Sequence, residues 1–191
     1  MKKILVFDNY DSFTYNLVHL IEKVGENVSV DVFRNDKIAL DDVEKYDAIV
    51  ISPGPGIPEE AGLLLDLLKR FRGKKPIFGV CLGQQAIAVA AGAKLINLEK
   101  VFHGVASDIH VVASDGIILK GIETPFPAGR YHSWVIDEKT LPAEYVITAR
   151  DADGNIMAIE NQAKKIYGVQ FHPESIMTPS GESIMLNFLN N

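Results

Sequence analysis

The chain has 191 residues, 47% of them hydrophobic, a formal charge of −6 and a single cysteine. That length suits one domain, residues 1–191, with a core that needs no metal, and a lone cysteine excludes an internal disulfide. The acidic balance argues against nucleic acid, no Cys/His cluster has zinc-ligand spacing, and no apolar stretch reaches the roughly 18 residues of a membrane span.

The opening apolar run, Ile4 to Phe7, is too short for the core of a signal peptide, so a reducing, cytoplasmic setting is expected. Lys3 to Phe7 reads as a buried strand. From Ser12 to Val24, the residues Phe13, Leu17, Leu20, Ile21 and Val24 recur at helical spacing, and Gly25 follows as a stop. Val28 to Phe33 and Ala48 to Ile51 read as strands. Glu59 to Phe71 predicts a helix with acids in its first turn, and the basic cluster Lys69 to Lys75 suits its C-terminal end. Ile77 to Val80 is a further buried strand, followed by a small-residue helix, Gln85 to Ala91.

After Gly92 the pattern changes. Val105 to Ala113, Gly116 to Leu119, Tyr131 to Ile136, Glu144 to Arg150, Ile156 to Glu160 and Ile166 to Phe171 read as strands, with Asp115-Gly116 and Asp153-Gly154 as hairpin-type turns. Gly181 to Leu189 is a final helix. The fold class is therefore α/β. A central, mostly parallel sheet is flanked by helices, and the second half adds antiparallel strands.

Ligands of such sheets bind beyond the carboxyl ends of the parallel strands. Asp8 to Ser12, Ser52 to Pro58, Cys81 to Gln85 and His172 to Glu174 all fall at strand ends. Cys81 sits in Gly79-Val80-Cys81-Leu82-Gly83, between an apolar run and a helical pattern. This is the layout of a nucleophile elbow, in which glycines two before and two after the nucleophile let strand and helix approach through a sharp turn. The turn exposes the side chain at a helix N-terminus, where aligned peptide dipoles favour negative charge. The competing reading of a lone cysteine is a small buried hydrophobe.

A cysteine nucleophile needs a base and a group that orients the base. In His172-Pro173-Glu174 the proline stiffens an extended backbone, and residues two apart point the same way, so Glu174 can hold the His172 ring. The competing reading is a loop histidine with a solvated glutamate. His19, His103, His110 and His132 have no carboxylate placed in this way. In Ser52-Pro53-Gly54-Pro55-Gly56-Ile57-Pro58 the prolines fix the path, and Gly54 and Gly56 let backbone N–H groups approach a ligand. A phosphate cradle or an oxyanion hole would use such groups. The Gly-Lys-Ser/Thr ending of a Walker loop is missing, as is a dinucleotide fingerprint after the first strand, so the oxyanion role ranks first.

Together, Pro-Gly-Pro-Gly at 53–56, Gly-Val-Cys-Leu-Gly-Gln-Gln at 79–85 and Gln-Phe-His-Pro-Glu at 170–174 resemble the class I, triad-type glutamine amidotransferases. The opening Phe7 to Asn16 and the later Arg130-Tyr131-His132-Ser133 are similar to anthranilate synthase component II and to the amidotransferase subunit of aminodeoxychorismate synthase. The resemblance covers essentially the whole chain. It implies a flavodoxin-like fold in which Cys81 forms a γ-glutamyl thioester with L-glutamine, His172 moves the protons and Glu174 orients His172. It implies also that the Leu82 N–H and the Gly54-Pro55-Gly56 segment bind the oxyanion, while Gln85 and the Ser133–Trp134 pair hold the amino-acid end of the substrate. The family more often has His or Met at the position of Gln84, Leu at that of Trp134 and Lys at that of Val105.

Ammonium is not a nucleophile, so released ammonia is best passed along a sealed path, and this chain shows no second substrate site. The resemblance implies that the acceptor site lies on a chorismate-binding synthase large subunit, forming a hetero-oligomer. No cofactor or metal is expected in this chain, and Mg²⁺ belongs to that partner; neither nucleic acid nor membrane is an expected partner. The expected product is anthranilate for tryptophan synthesis. Aminodeoxychorismate for folate and a stand-alone cysteine amide or γ-glutamyl hydrolase are the alternatives. A phosphoacceptor receiver domain would need an aspartate where Ser52-Pro53-Gly54 stands, and an idle interaction subunit would not need Cys81, His172 and Glu174 together.

Overall fold

Period-two burial organises the molecule. In β1 (Lys2–Asp8), Ile4 and Val6 face one core while Leu5 and Phe7 face another, and all four are inaccessible to solvent. The same alternation runs through β3 (Ala48–Ile51), β4 (Ile77–Val80) and β11 (Ile166–Val169). A strand buried on both faces needs a helix layer on each side. On one side α1 (Thr14–Val24) and α4 (Gly181–Leu189) supply Leu17, Ile21, Ile184 and Phe188 against Val6, Val50, Phe78 and Tyr167. On the other, α2 (Leu64–Phe71) and α3 (Leu82–Ala90) supply Leu64, Leu67, Phe71 and Ile87 against Leu5, Ile49, Ile77 and Ile166. The computed structural model describes residues 1–99 and 101–191.

The remaining strands are β2 (Val28–Arg34), β5 (Leu95–Asn97), β6 (Val105–Val111), β7 (Phe126–Arg130), β8 (Trp134–Ile136), β9 (Val146–Arg150) and β10 (Ile156–Asn161). Nine strands form one sheet in the order β2-β1-β3-β4-β11-β10-β9-β6-β7, parallel from β2 to β11 and antiparallel beyond. A separate pair, β5 and β8, carries residues 133 and 134 toward the carboxyl edge. The decisive neighbours are β4 and β11: Ile77 pairs with Ile166 and Val80 with Val169, so both strands deliver their following residues to one place. Among the described residues no helix is long and apolar enough to cross a membrane.

The fold class agrees with the sequence reading, and the local departures from it are few. The helix expected over 59–71 is a 3₁₀ turn, Pro58–Glu60, followed by α2 from Leu64. Gly62 adopts φ +54° and the Leu63 N–H donates to Asn35 O at 2.9 Å, outside any helix ladder. Gly116 to Leu119 is a turn rather than a strand. The buried Glu160 carboxylate takes the N–H groups of Ile117 (2.9 Å) and Ile118 (3.0 Å), the donors a strand would offer its neighbour. Conversely, β7 went unpredicted because Pro127 and Gly129 disguise it; it lies at the sheet edge, where a missing N–H is tolerated. The expected strand over 131–136 forms only from Trp134, and Asp153-Gly154 makes the β9–β10 hairpin as expected.

Candidate active site

The elbow forms as its spacing requires. Cys81 joins β4 to α3 with φ +53° and ψ −103°, a conformation that costs a non-glycine residue of order 1–3 kcal/mol and persists only where the surroundings impose it. They do so here. The Cys81 N–H donates to Val169 O at 2.8 Å, and the Cys81 carbonyl accepts from Gln85 N at 3.1 Å. A Cβ on Gly79 would lie 2.5 Å from the Gly83 carbonyl carbon, so only paired glycines permit strand and helix to meet this closely.

His172 reaches the same place from β11. Its N–H donates to Gly129 O at 2.9 Å, and its carbonyl accepts from Thr178 Oγ1 at 2.7 Å, so the peptide groups on both sides of its Cα are tied down. Glu174 Oε1 lies 2.7 Å from His172 Nδ1, with both side chains almost wholly buried. The carboxylate keeps a proton on Nδ1 and leaves Nε2 to face the site. Tyr131 packs edge-on against the ring, 4.9 Å between centroids. Burial opposes charge on this imidazole, but the adjacent Cys81 sulfur and the Glu174 carboxylate outweigh it and push His172 up to about 10. Nε2 itself is buried without an aligned hydrogen bond. Sulfur and imidazole therefore interact electrostatically yet are not aligned as donor and acceptor, the loose geometry of a nucleophile–base pair before its substrate enters.

A cleft of about 220 Å³ opens beside the sulfur, lined in part by Gly54, Pro55, Gly56, Leu82, Gln85, Ser133 and Trp134. The whole predicted oxyanion and substrate set thus gathers around Cys81. The 52–58 loop is held in place by Asn9, whose N–H donates to Ser52 Oγ (2.8 Å) and whose Nδ2 donates to Ser52 O (2.9 Å). Leu82 opens α3, so its N–H has no partner within the helix and is available at the sulfur. A second cleft, about 360 Å³, lies against Cys81 and His172 and is walled by Tyr10, Phe13, His103 and Tyr131.

Beneath the first cleft runs a polar network that the sequence did not disclose. Arg130 Nε is an obligate donor and lies 3.1 Å from His132 Nε2, so that nitrogen accepts and Nδ1 carries the proton to Trp134 O at 3.1 Å. Burial first, then the Arg130 charge, push His132 down to about 3, so it stays neutral. The Arg130 guanidinium lies 3.5 Å from the Phe102 ring centroid and 2.9 Å from Asp151 Oδ2. This is a buried ion pair at contact distance, although Nη2 is not aligned for a hydrogen bond. Trp134 O also accepts from Gln85 Nε2 at 3.0 Å; the same nitrogen donates to Gln170 Oε1 (3.1 Å), and Gln170 Nε2 reaches Cys81 Sγ (3.5 Å). Among the four other histidines, His132 belongs to this network and His103 walls the second cleft. Gln170 lay in plain view two residues before His172, but nothing in the sequence signalled its role.

Residues 5–191 match the family model described as glutamine amidotransferase class-I. The chain belongs to this family. This class I glutamine amidotransferase is 48% identical over 189 residues to the aminodeoxychorismate/anthranilate synthase component 2 of Bacillus subtilis, covering 97% of the chain and 95% of that protein. It is 45% identical over 192 residues to the bifunctional protein TrpGD of Thermotoga maritima, where all of the chain matches about a third (32%) of the longer protein. Among solved structures, a putative GMP synthase subunit from Thermoplasma acidophilum superposes with a TM-score of 0.88 at 26% identity, covering 100% of this chain and 93% of that one.

Proposed function

We propose that this glutamine amidotransferase hydrolyses L-glutamine through a Cys81 thioester and supplies the ammonia to a partner synthase subunit. The observation that carries the proposal is the convergence of β4 and β11, which sets Cys81 beside a His172 ring already held by Glu174, at the mouth of the cleft lined by Gln85 and Trp134. Cys81 Sγ gives its proton to His172 Nε2 and then attacks the carboxamide carbon of glutamine. The carbonyl oxygen becomes an oxyanion that the Leu82 N–H and a glycine N–H of the 54–56 segment stabilise. On collapse, the C–N bond breaks, His172 returns the proton to nitrogen, and ammonia leaves. Water, deprotonated by His172, then cleaves the thioester to glutamate and regenerates the thiol. Glu174 stabilises the imidazolium in both halves, while Gln85 and the Ser133–Trp134 backbone hold the amino-acid end. No cofactor takes part in this sequence.

The partner reading is supported by relatives named as component 2 of anthranilate or aminodeoxychorismate synthases. It is supported also by the second cleft, lined by the exposed apolar residues Tyr10 and Phe13, with exposed Tyr15 two residues further on and exposed Ile176 lining an adjoining cleft with Phe13, Tyr131 and His172. A chorismate-binding large subunit docked there would receive ammonia directly, with anthranilate as product. The Bacillus relative, whose name joins both synthases, favours aminodeoxychorismate as the second reading. Reconstitution with each large subunit tests this by identifying which aromatic amine is formed from glutamine and chorismate. Cys81→Ser is expected to abolish glutamine-dependent synthesis and to spare synthesis from added ammonia. Full glutamine-dependent turnover by that variant would refute the assignment.

A further inference from the structure

Gln170 is inaccessible to solvent and leaves β11 two residues before His172, its N–H bound to Met157 O at 2.8 Å. Its side chain lies between Gln85 and Cys81, and the direction of its amide follows from its neighbours. Trp134 O can only accept, so the group facing it at 3.0 Å is the Gln85 NH₂. That NH₂ also faces Gln170 at 3.1 Å, which requires the Gln170 oxygen there. The remaining pole of Gln170, its NH₂, must then point to Cys81 Sγ, 3.5 Å away. Turning either amide over would set donor against donor or carbonyl against carbonyl between the buried side chains of Gln85 and Gln170. His132 holds the same carbonyl from behind at 3.1 Å, so the first link of the chain is itself fixed.

We infer that Gln170 is a positioning residue for the reaction, donating an amide N–H to the Cys81 sulfur and thereby linking the substrate-binding residue Gln85 to the nucleophile. The inference rests on the reading of Cys81 as the nucleophile. The contact confines the one rotatable bond of the thiol. A donor to sulfur is strongest when the sulfur carries charge, as it does before attack and again when the thioester is cleaved. The expected signature is a loss in kcat rather than in glutamine affinity, because Gln170 touches sulfur and not the ligand.

Two variants of the full chain test this. Gln170→Leu removes the donor to sulfur and also one acceptor of Gln85, which stays held by Trp134 O. Gln170→Glu keeps the shape and the acceptor toward Gln85 but sets an oxygen against the sulfur, and that oxygen donates again only when protonated. Glutamine hydrolysis and the rate of Cys81 alkylation by iodoacetamide are measured from about pH 6 to pH 9. We expect Gln170→Leu to lower kcat about 10- to 100-fold with KM changed less than about threefold, and to slow alkylation in parallel. Gln170→Glu should be poorest at alkaline pH and should recover relative to the native chain as pH falls, a ratio within one variant that stands even where Gln170→Leu folds poorly. Variants within twofold of the native kcat and alkylation rate, or a Gln170→Glu deficit independent of pH, overturn the inference. Cys81→Ser separates the failures. If it still hydrolyses glutamine, the nucleophile assignment falls; if it is inactive while the Gln170 variants behave like the native chain, only the role of Gln170 falls.

Discussion

The buried pair formed by Arg130 and Asp151 supports the substrate cleft from below, and Asp151→Asn isolates its contribution. Both side chains are 2% exposed and lie 2.9 Å apart. The substitution retains the acceptor Oδ1, which takes the N–H groups of Asp153 (3.1 Å) and Asn155 (2.8 Å). In place of Oδ2 it sets an NH₂ against Arg130 Nη2 and Asn155 Nδ2, two donors. Breaking a buried pair by removing one partner costs about 3–5 kcal/mol, because the surviving charge stays uncompensated. With a urea m-value of roughly 2–3 kcal/mol/M for a chain of this size, the unfolding midpoint should fall by about 1–2.5 M. Arg130 also fixes the His132 tautomer behind Trp134 O, so glutamine KM should rise in the surviving folded fraction. Arg130→Met in the Asp151→Asn background should restore part of the loss, since it removes the stranded charge. A loss under about 1 kcal/mol in urea titration would show that the guanidinium reaches water after all, and the argument from burial would fail.

Three further outcomes follow from the same structure. Gly79→Ala forces a methyl to 2.5 Å from the Gly83 backbone and should cost about 1–3 kcal/mol or abolish folding, read as a lowered thermal midpoint; an unchanged midpoint would contradict the described elbow. The raised His172 value makes stability pH-dependent: its contribution is complete below the ordinary value of 6.5 and is lost as pH rises through about 10. Thermal unfolding between pH 6.5 and 10 should therefore show a falling midpoint, and Glu174→Gln should flatten that fall. Gln84 is wholly buried with neither end of its amide hydrogen-bonded, so Gln84→Met should stabilise the chain by about 1–3 kcal/mol, or roughly 2–12 °C, with glutamine hydrolysis retained. A lower midpoint would mean that the amide has a partner in solution.

What the sequence disclosed and what it withheld have physical causes. The parallel half was legible because β1, β3 and β4 are continuous apolar runs whose burial on both faces requires the architecture observed. Cys81, His172 and Glu174 were legible because each sits in a local device, an elbow or a proline-stiffened triplet, whose geometry is encoded within a few residues. The 116–119 turn was not, because the Glu160 carboxylate that bends it comes from a strand 42 residues away from Ile118. Nor was β7, which breaks the rules of strand composition at a sheet edge where those rules relax. The Arg130–His132–Trp134–Gln85–Gln170 network escaped for the same reason as the turn. Gln85 and Trp134 were expected at the substrate, but the links that join them to Gln170, His132 and Arg130 arise only when folding brings residues 85, 134 and 170 together.

The adjacency of β4 and β11 also bears on the life of the newly made chain. While a ribosome is still extending the polypeptide, the elbow and its sulfur emerge some 90 residues ahead of the imidazole that would activate it. Hydrolytic competence therefore waits for a strand from the last stretch to slot in beside one from the middle. A nascent or truncated product can display the thiol but has no means of squandering glutamine.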